Sequence, residues 1–331
     1  MPIVSIIIPC YNEQATIRAL LDALLLQSYP RSEMEIILAD GMSSDQTRTE
    51  ISAFQNQHAD LQVRIIDNPR RNISAALNCA LEAAKGEFIV RLDAHSVPMN
   101  DYVERSIADL QAELGTNVGG VWQIEPGAKG WLAASIAAAA AHPLGVGDAL
   151  YRIGSAAREV DTVPFGAFRR DLIKHIGKFD ENLLTNEDYE FNARIRKQGG
   201  IVWLDPSIRC IYYTRRTLPD LARQYARYGF WKRRMLARYA QTLRWRQALP
   251  PLFVLALLVL LLLIPFWNLA RFALILQVLA YSGILFLGGT LTAIKKKTPL
   301  FVVGVPLAIA TMHLSWGAGF LWSMLKPISK D

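Results

Sequence analysis

The sequence predicts an α/β domain, with a mostly parallel sheet and flanking helices, followed by C-terminal transmembrane helices. Three observations predict it. Apolar runs rich in β-branched residues alternate with helical periodicities from the first residues to Asp93. Several of those runs end in polar residues, at what would be the carboxyl ends of strands. From Ala248 the composition turns apolar, in three long runs. Charge divides the chain in the same way. Within an overall +7, residues 1–206 carry −8, residues 207–247 carry +10 and residues 248–331 carry +5. The positive total invites nucleic acid or a membrane as partner. An acidic domain, a basic connector and an apolar tail exclude nucleic acid.

With 331 residues, 52% hydrophobic and 20% charged, the chain is ordered and long enough for two domains. The expected division is 1–217, 218–247 and 248–331. Cys10, Cys79 and Cys210 are far apart and odd in number, which fits reduced, mostly buried thiols in a reducing compartment. Met1 to Ser5 lacks the charged start of a signal peptide, so the N-terminal part is expected to stay where it is made.

The elements follow in order. Ile3 to Ile8 is a buried strand, and Glu13 to Gln27 a helix with Ile17, Leu20, Leu21, Leu24 and Leu25 on one face. Glu35 to Asp40 is a second strand. Asp45 to Gln57 is a helix capped by Ser43 or Ser44. Val63 to Ile66 is a third strand, Ile73 to Ala84 a helix closed by Gly86, and Glu87 to Asp93 a fourth strand. Strand–helix repetition gives parallel pairing through right-handed crossovers. Pro9 to Glu13, Asp40-Gly41 and Asp93-Ala94-His95 then share one edge, where ligands bind such sheets.

In the tail, Leu252 to Ile264, Phe272 to Leu287 and Leu300 to Leu325 are each long enough to span a bilayer, the first two once their flanks are counted. The first two form a hairpin about Trp267-Asn268, spanning or re-entrant. Lys295-Lys296-Lys297 places its open end in the cytoplasm, with residues 1–247 on the same side. The third run either leaves the C-terminus outside or re-enters. Residues 218–247 mix aromatic and basic residues at helical spacing, as in a helix lying on anionic lipid, where each basic residue contributes roughly 1 kcal/mol.

The motifs Ile7-Ile8-Pro9-Cys10-Tyr11-Asn12-Glu13, Asp40 to Thr47, Asn72 to Asn78, Arg91 to His95, Pro164 to Arg170 and Asn186 to Phe191 resemble the family 2 glycosyltransferases, over about two thirds of the chain. Asp93-Ala94-His95, the segment His142 to Arg152 and the membrane tail are similar to the succinoglycan-type members of exopolysaccharide assembly. The resemblance implies a GT-A fold and an inverting transferase. Its donor would be a UDP-sugar, with glucose the first choice of hexose. Its acceptor would be a polyprenyl-diphosphate-linked glycan at the cytoplasmic (inner) membrane, beside other glycan-assembly enzymes.

The resemblance also implies roles for residues. Pro9, Tyr11, Asn12, Glu13, Asp40, Asn72, Asp93 and Ala94 would bind the nucleotide-sugar. Asp40 could accept from uracil N3–H; the plain alternative is a turn or capping residue. Asp93 matches the first acid of the family's metal motif, whose second acid is here His95. Asp93 and His95 would hold Mn²⁺ or Mg²⁺, the imidazole favouring Mn²⁺; His95 could instead donate to a phosphate or ribose oxygen. Asp188 matches the family's general base, and Glu187 would hold the acceptor or a nearby basic group. The plain alternative for both is an acidic first turn of a helix. Gln224 to Tyr228 loosely resembles a Gln-x-x-Arg-Trp motif in which Tyr228 replaces the tryptophan, against processive synthesis. Gln224, Arg227 and Lys232 would bind the diphosphate of donor or acceptor lipid, or simply serve as membrane-surface polar groups. His142 to Gly147 and Arg152 would form acceptor-side loops, with Gly145 and Gly147 letting a sugar approach. Two other readings stand beside this one: a polyprenyl-phosphate sugar synthase, and a catalytically silent membrane scaffold.

Overall fold

Strand β1 (Val4–Cys10) is buried along its whole length and pairs in parallel with a strand on each side. The chain is seen in a computed structural model that describes residues 2–327. After β1 come α1 (Ile17–Leu25), β2 (Met34–Asp40), α2 (Thr47–Gln57), β3 (Gln62–Asp67), α3 (Ile73–Ala83) and β4 (Phe88–Arg91). These strands stand in the order β3-β2-β1-β4, all parallel. The alternation read from the sequence is therefore the observed one, with ends shifted by a few residues.

The core beneath them joins Ile6, Ile8, Leu20, Leu24, Ile36, Leu38 and Phe54. Each such side chain contributes about 1.5–3 kcal/mol on burial. Pro9 fits inside β1 because pairing with β4 ends at Ile7–Arg91, so its missing N–H costs no ladder bond on that side.

One local expectation is corrected. Neither Ser43 nor Ser44 caps α2, whose N-cap is Gln46. Asp45 Oδ1 instead accepts from Thr47 N at 3.0 Å, and Ser43 serves Asp40.

The chain continues through β5 (Ser96–Pro98), α4 (Tyr102–Gln111), β6 (Asn117–Glu125), α5 (Trp131–Ala140), α6 (Pro143–Val146) and α7 (Leu150–Ile153). It returns as β7 (Arg158–Glu159), β8 (Ala167–Arg169), α8 (Leu172–Ile176), α9 (Glu187–Lys197) and β9 (Val202–Tyr213). β8 pairs antiparallel with both β4 and β6, and β9 with β5 and β7. Among the described residues the sheet is thus mixed, its parallel half carrying the polar strand ends.

The chain separates into two compact units, Met1–Gln123 with Gly154–Tyr212, and Ile124–Ile153 with Tyr213–Asp331. The first holds the sheet. In the second, α10 (Leu218–Arg238), α11 (Trp245–Leu263), α12 (Asn268–Lys296) and α13 (Phe301–Met324) join α5, α6 and α7. Residues 124–153, which the sequence division placed in the first domain, belong here.

Helices α11, α12 and α13 are long and apolar enough to cross a membrane. α11 and α12 show most of their surface; α13 is more enclosed. Close backbone approaches at glycines accompany that enclosure. A Cβ on Gly229 of α10 would lie 2.1 Å from the Trp316 carbonyl oxygen, and one on Gly319 would lie 2.0 Å from that of Ala226. The backbones of α10 and α13 meet directly at these points, as small residues permit. Pro251 in α11 cannot donate to the Gln247 carbonyl one turn back; Trp316 Nε1 donates to it instead, at 3.2 Å.

The glycines of the 142–152 segment have structural duties. A Cβ on Gly145 would lie 2.5 Å from the Ala139 oxygen, and Gly147, at φ +63°, accommodates Arg246.

Candidate active site

The residues expected to bind the nucleotide-sugar and the metal, with Glu187 and Asp188, belong to the first unit. The loops following β1 and β2 are laced together. Asn12 N donates to Ser43 Oγ at 2.9 Å, Glu13 N to Thr47 Oγ1 at 2.8 Å and Gln14 N to Asp45 Oδ2 at 3.2 Å. In return Ser44 N donates to Asn12 Oδ1 at 2.9 Å and Gln46 N to Gln14 Oε1 at 3.0 Å. Asn12 holds φ +54°, which asparagine tolerates better than most residues. Tyr11 is exposed, and a Cβ at Gly41 would press on its ring at 3.2 Å. The glycine therefore lets the tyrosine lie across the end of β2.

Asp40, at that end, is completely buried. Its carboxylate accepts from Ser43 N at 3.0 Å, from Ser43 Oγ, from Arg48 Nε and from the Cys10 thiol at 3.7 Å. Burial alone would raise its pKa, but the bonds from Ser43 and Arg48 outweigh that and hold it below the usual range. The two contacts to Ser43 are those of a turn residue, the plain alternative to acceptance from a base. Pro9 and Ala94 are buried. Asn72 caps α3, its Oδ1 accepting from Ala75 N at 2.7 Å.

Asp93 and His95 follow β4. Asp93 keeps part of its carboxylate exposed and receives Arg91 Nη2 at 3.2 Å. His95 Nδ1 lies 3.3 Å from Glu13 Oε1, so Glu13 orients the imidazole. Among the described residues no three His, Cys, Asp or Glu side chains gather as a protein-only metal cage. One carboxylate and one imidazole do fit a cation that takes its other ligands from a diphosphate and water.

Arg91 is the functional residue that the sequence reading passed over. Its guanidinium is buried, with Nη2 shared between Asp93 and Glu187, the latter at 2.6 Å. Nε and Nη1 are buried with no hydrogen-bond partner. The available signal was a lone arginine inside an apolar strand, which demands a buried counter-charge. Glu187 supplies it, so the basic-group role expected for Glu187 is the one seen.

Asn186, at φ +69°, turns the chain into α9, and Glu187 and Asp188 take its first turn. Asp188 Oδ1 accepts from Tyr189 N at 2.7 Å. Burial, then the neighbouring Glu187 charge, pushes its pKa up to about 6, against the attraction of Arg91. A carboxylate with a pKa raised in this way is a capable proton acceptor near neutrality.

On α10, in the second unit, Gln224 Nε2 donates to Tyr228 Oη at 2.8 Å and Arg227 is exposed. Lys232 corrects its expectation. It is buried, and its ammonium donates to the Thr242 carbonyl at 3.3 Å, so it is neither a surface charge nor open to a phosphate.

Comparison with known proteins agrees with this geometry. Residues 5–177 match the model of Glycosyl transferase family 2. The chain is 28% identical over 333 residues to the dolichyl N-acetyl-alpha-D-glucosaminyl phosphate 3-beta-D-2,3-diacetamido-2,3-dideoxy-beta-D-glucuronosyltransferase of Methanococcus voltae, covering 98% of each chain. It is 29% identical over 326 residues to the succinoglycan biosynthesis protein ExoA of Rhizobium meliloti, covering 97% of this chain and 94% of that one. The solved mannosyltransferase PcManGT of Pyrobaculum calidifontis, in complex with GDP-Man and Mn²⁺, superposes with a TM-score of 0.63 at 18% identity. It covers 97% of this chain and 87% of that chain, and shows the same GT-A fold. The family model spans just over half the sequence and includes the polar strand ends; the chain belongs to glycosyltransferase family 2.

Proposed function

We propose that this glycosyltransferase moves a single hexose, glucose as first choice, from a UDP-sugar to a polyprenyl-diphosphate-linked saccharide, with inversion at the anomeric carbon. The observation that carries the reading is the buried pair Arg91 and Glu187 with half-buried Asp188 and Asp93 beside it: a raised-pKa carboxylate next to an acid that could hold the donor's cation. Asp188 takes the proton of the acceptor hydroxyl as its oxygen bonds to the anomeric carbon. The bond from that carbon to the diphosphate oxygen breaks, and UDP leaves with the electron pair. Glu187 does not compete for this work, because it is committed to Arg91.

Asp93 and His95 would hold a divalent cation, which supplies charge neutralisation for the departing diphosphate. The PcManGT complex contains Mn²⁺, in keeping with a divalent cation, and the imidazole of His95 favours Mn²⁺ over Mg²⁺. Tyr11 and Asp40 meet the nucleoside. Of the three connector residues, Arg227 is the one suited to a phosphate, since its side chain is exposed.

The Methanococcus relative is named for a dolichyl-linked sugar acceptor and the Rhizobium relative for succinoglycan biosynthesis. The first supports a lipid-linked saccharide acceptor over bare polyprenyl phosphate, and the second a role in polysaccharide assembly. The cluster Lys295-Lys296-Lys297 and the basic residues of α10 support the cytoplasmic face of the inner membrane, against anionic lipid.

The test is product analysis with purified full-length protein, a panel of UDP- and GDP-sugars, and lipid-linked sugar or bare lipid phosphate as acceptor. Asp188→Asn should bind UDP normally and transfer about 10²–10⁴-fold more slowly. An Asp188→Asn protein that transfers at the normal rate would defeat the mechanism.

A further inference from the structure

The Asp40 carboxylate has no spare acceptor position. Oδ1 takes the Ser43 hydroxyl and the Cys10 thiol; Oδ2 takes Ser43 N and Arg48 Nε. An ionised carboxylate offers about four such positions. Three of the donors are fixed, Cys10 by β1 and the two of Ser43 by a tight turn in which Met42 holds φ +60°. Arg48 is different. It reaches in from α2, its side chain is 39% exposed, and its Nη2 already donates to Asp67. Asp67 is the register partner of Asp40 at the end of β3, with an exposed carboxylate. One guanidinium therefore bridges a buried and an exposed carboxylate at adjacent strand ends.

We propose that Arg48 reads the donor's base together with Asp40. The ring N–H of uracil or guanine takes the place of Arg48 Nε at Asp40 Oδ2. The guanidinium, retained by Asp67, donates to the adjacent ring carbonyl. This rests on the donor reading above, which sets the nucleoside at these strand ends. The pairing is selective. Uracil and guanine present N–H beside C=O, the complement of a carboxylate beside a guanidinium. Cytosine and adenine present a bare ring nitrogen beside an amino group, which sets acceptor against acceptor and donor against donor. Asp67 makes the exchange inexpensive, because Arg48 keeps a carboxylate when it leaves Asp40.

The experiment is equilibrium binding of UDP, GDP, CDP and ADP, each with Mn²⁺, to the full-length protein in detergent. Wild type is compared with Arg48→Met, Arg48→Lys and Asp67→Asn, and the fold of each is checked by circular dichroism. Wild type should bind UDP or GDP at least about tenfold tighter than CDP and ADP. Arg48→Met should lose about tenfold for the preferred nucleotide and narrow the gap to CDP. Arg48→Lys should recover part of the loss. Asp67→Asn should weaken binding, because Arg48 then stays on Asp40. Wild-type affinity and ranking in Arg48→Met would overturn the role of Arg48 and leave the donor site standing. Should that variant fail to fold, unchanged affinity in Asp67→Asn would overturn it equally. If wild type binds none of the four, the donor reading falls as well.

Discussion

Arg91 Nη2 donates to Glu187 Oε1 at 2.6 Å, and both side chains are buried. This contact ties the last residue of β4 to the first turn of α9. It also shows which of two adjacent acids pairs with the guanidinium; in the proposed mechanism the other, Asp188, exchanges the proton. Arg91→Met would leave Glu187 buried without its counter-charge. A stability loss of roughly 3–5 kcal/mol is expected, read as lowered thermal or denaturant resistance of the purified protein. Arg91→Lys keeps the positive charge and should recover part of it.

The acid limb of the rate profile should report Asp188. The base must be ionised, and burial with the Glu187 charge pushes its pKa up to about 6, so transfer should decline as pH falls through that value. Glu187→Gln removes a like charge and should move the midpoint to lower pH. Arg91→Met removes an attractive cation and should move it to higher pH. Opposite displacements in kcat profiles are the signature; parallel ones would contradict this electrostatic account.

Glu13 should act through His95. Glu13→Gln weakens the orientation of the imidazole, and the Mn²⁺ concentration for half-maximal activity should rise about tenfold or more. His95→Ala should raise it at least as far. Titration of activity with Mn²⁺ after EDTA treatment measures both, and an unchanged requirement would remove His95 from the metal.

In the membrane unit, Trp316→Phe strips the donor from the Gln247 carbonyl that Pro251 cannot serve. A loss of about 1–3 kcal/mol is expected. Gly319→Leu should be worse, because its side chain would meet the Ala226 backbone; a reduced yield of folded protein in detergent reads it out.

The parallel half of the sheet was legible because β1, β2 and β4 are continuous buried runs, and the helices between keep their periodicity. The other half was not. β5, β7 and β8 have three, two and three residues, too few for any period to show. Asp188, Asp93 and Asp40 stood out by motif and position. Arg91, Arg48 and the orienting role of Glu13 did not, since each is defined by a partner distant in sequence. Lys232 misled because a lysine within a basic helix reads as solvated, whereas the packing of α10 encloses it.

The reciprocal bonds between the loops following β1 and β2 have a consequence for descent. Asn12 and Gln14 are each bonded to the facing loop through both backbone and side chain, so neither loop can drift alone. A lineage that changes Ser43 or Asp45 inherits a defect in the partner loop unless a compensating change arises there. Substitutions at residues 12–14 and 43–47 should therefore be inherited as matched sets, and grafting one loop from a relative without the other should fail where grafting both succeeds.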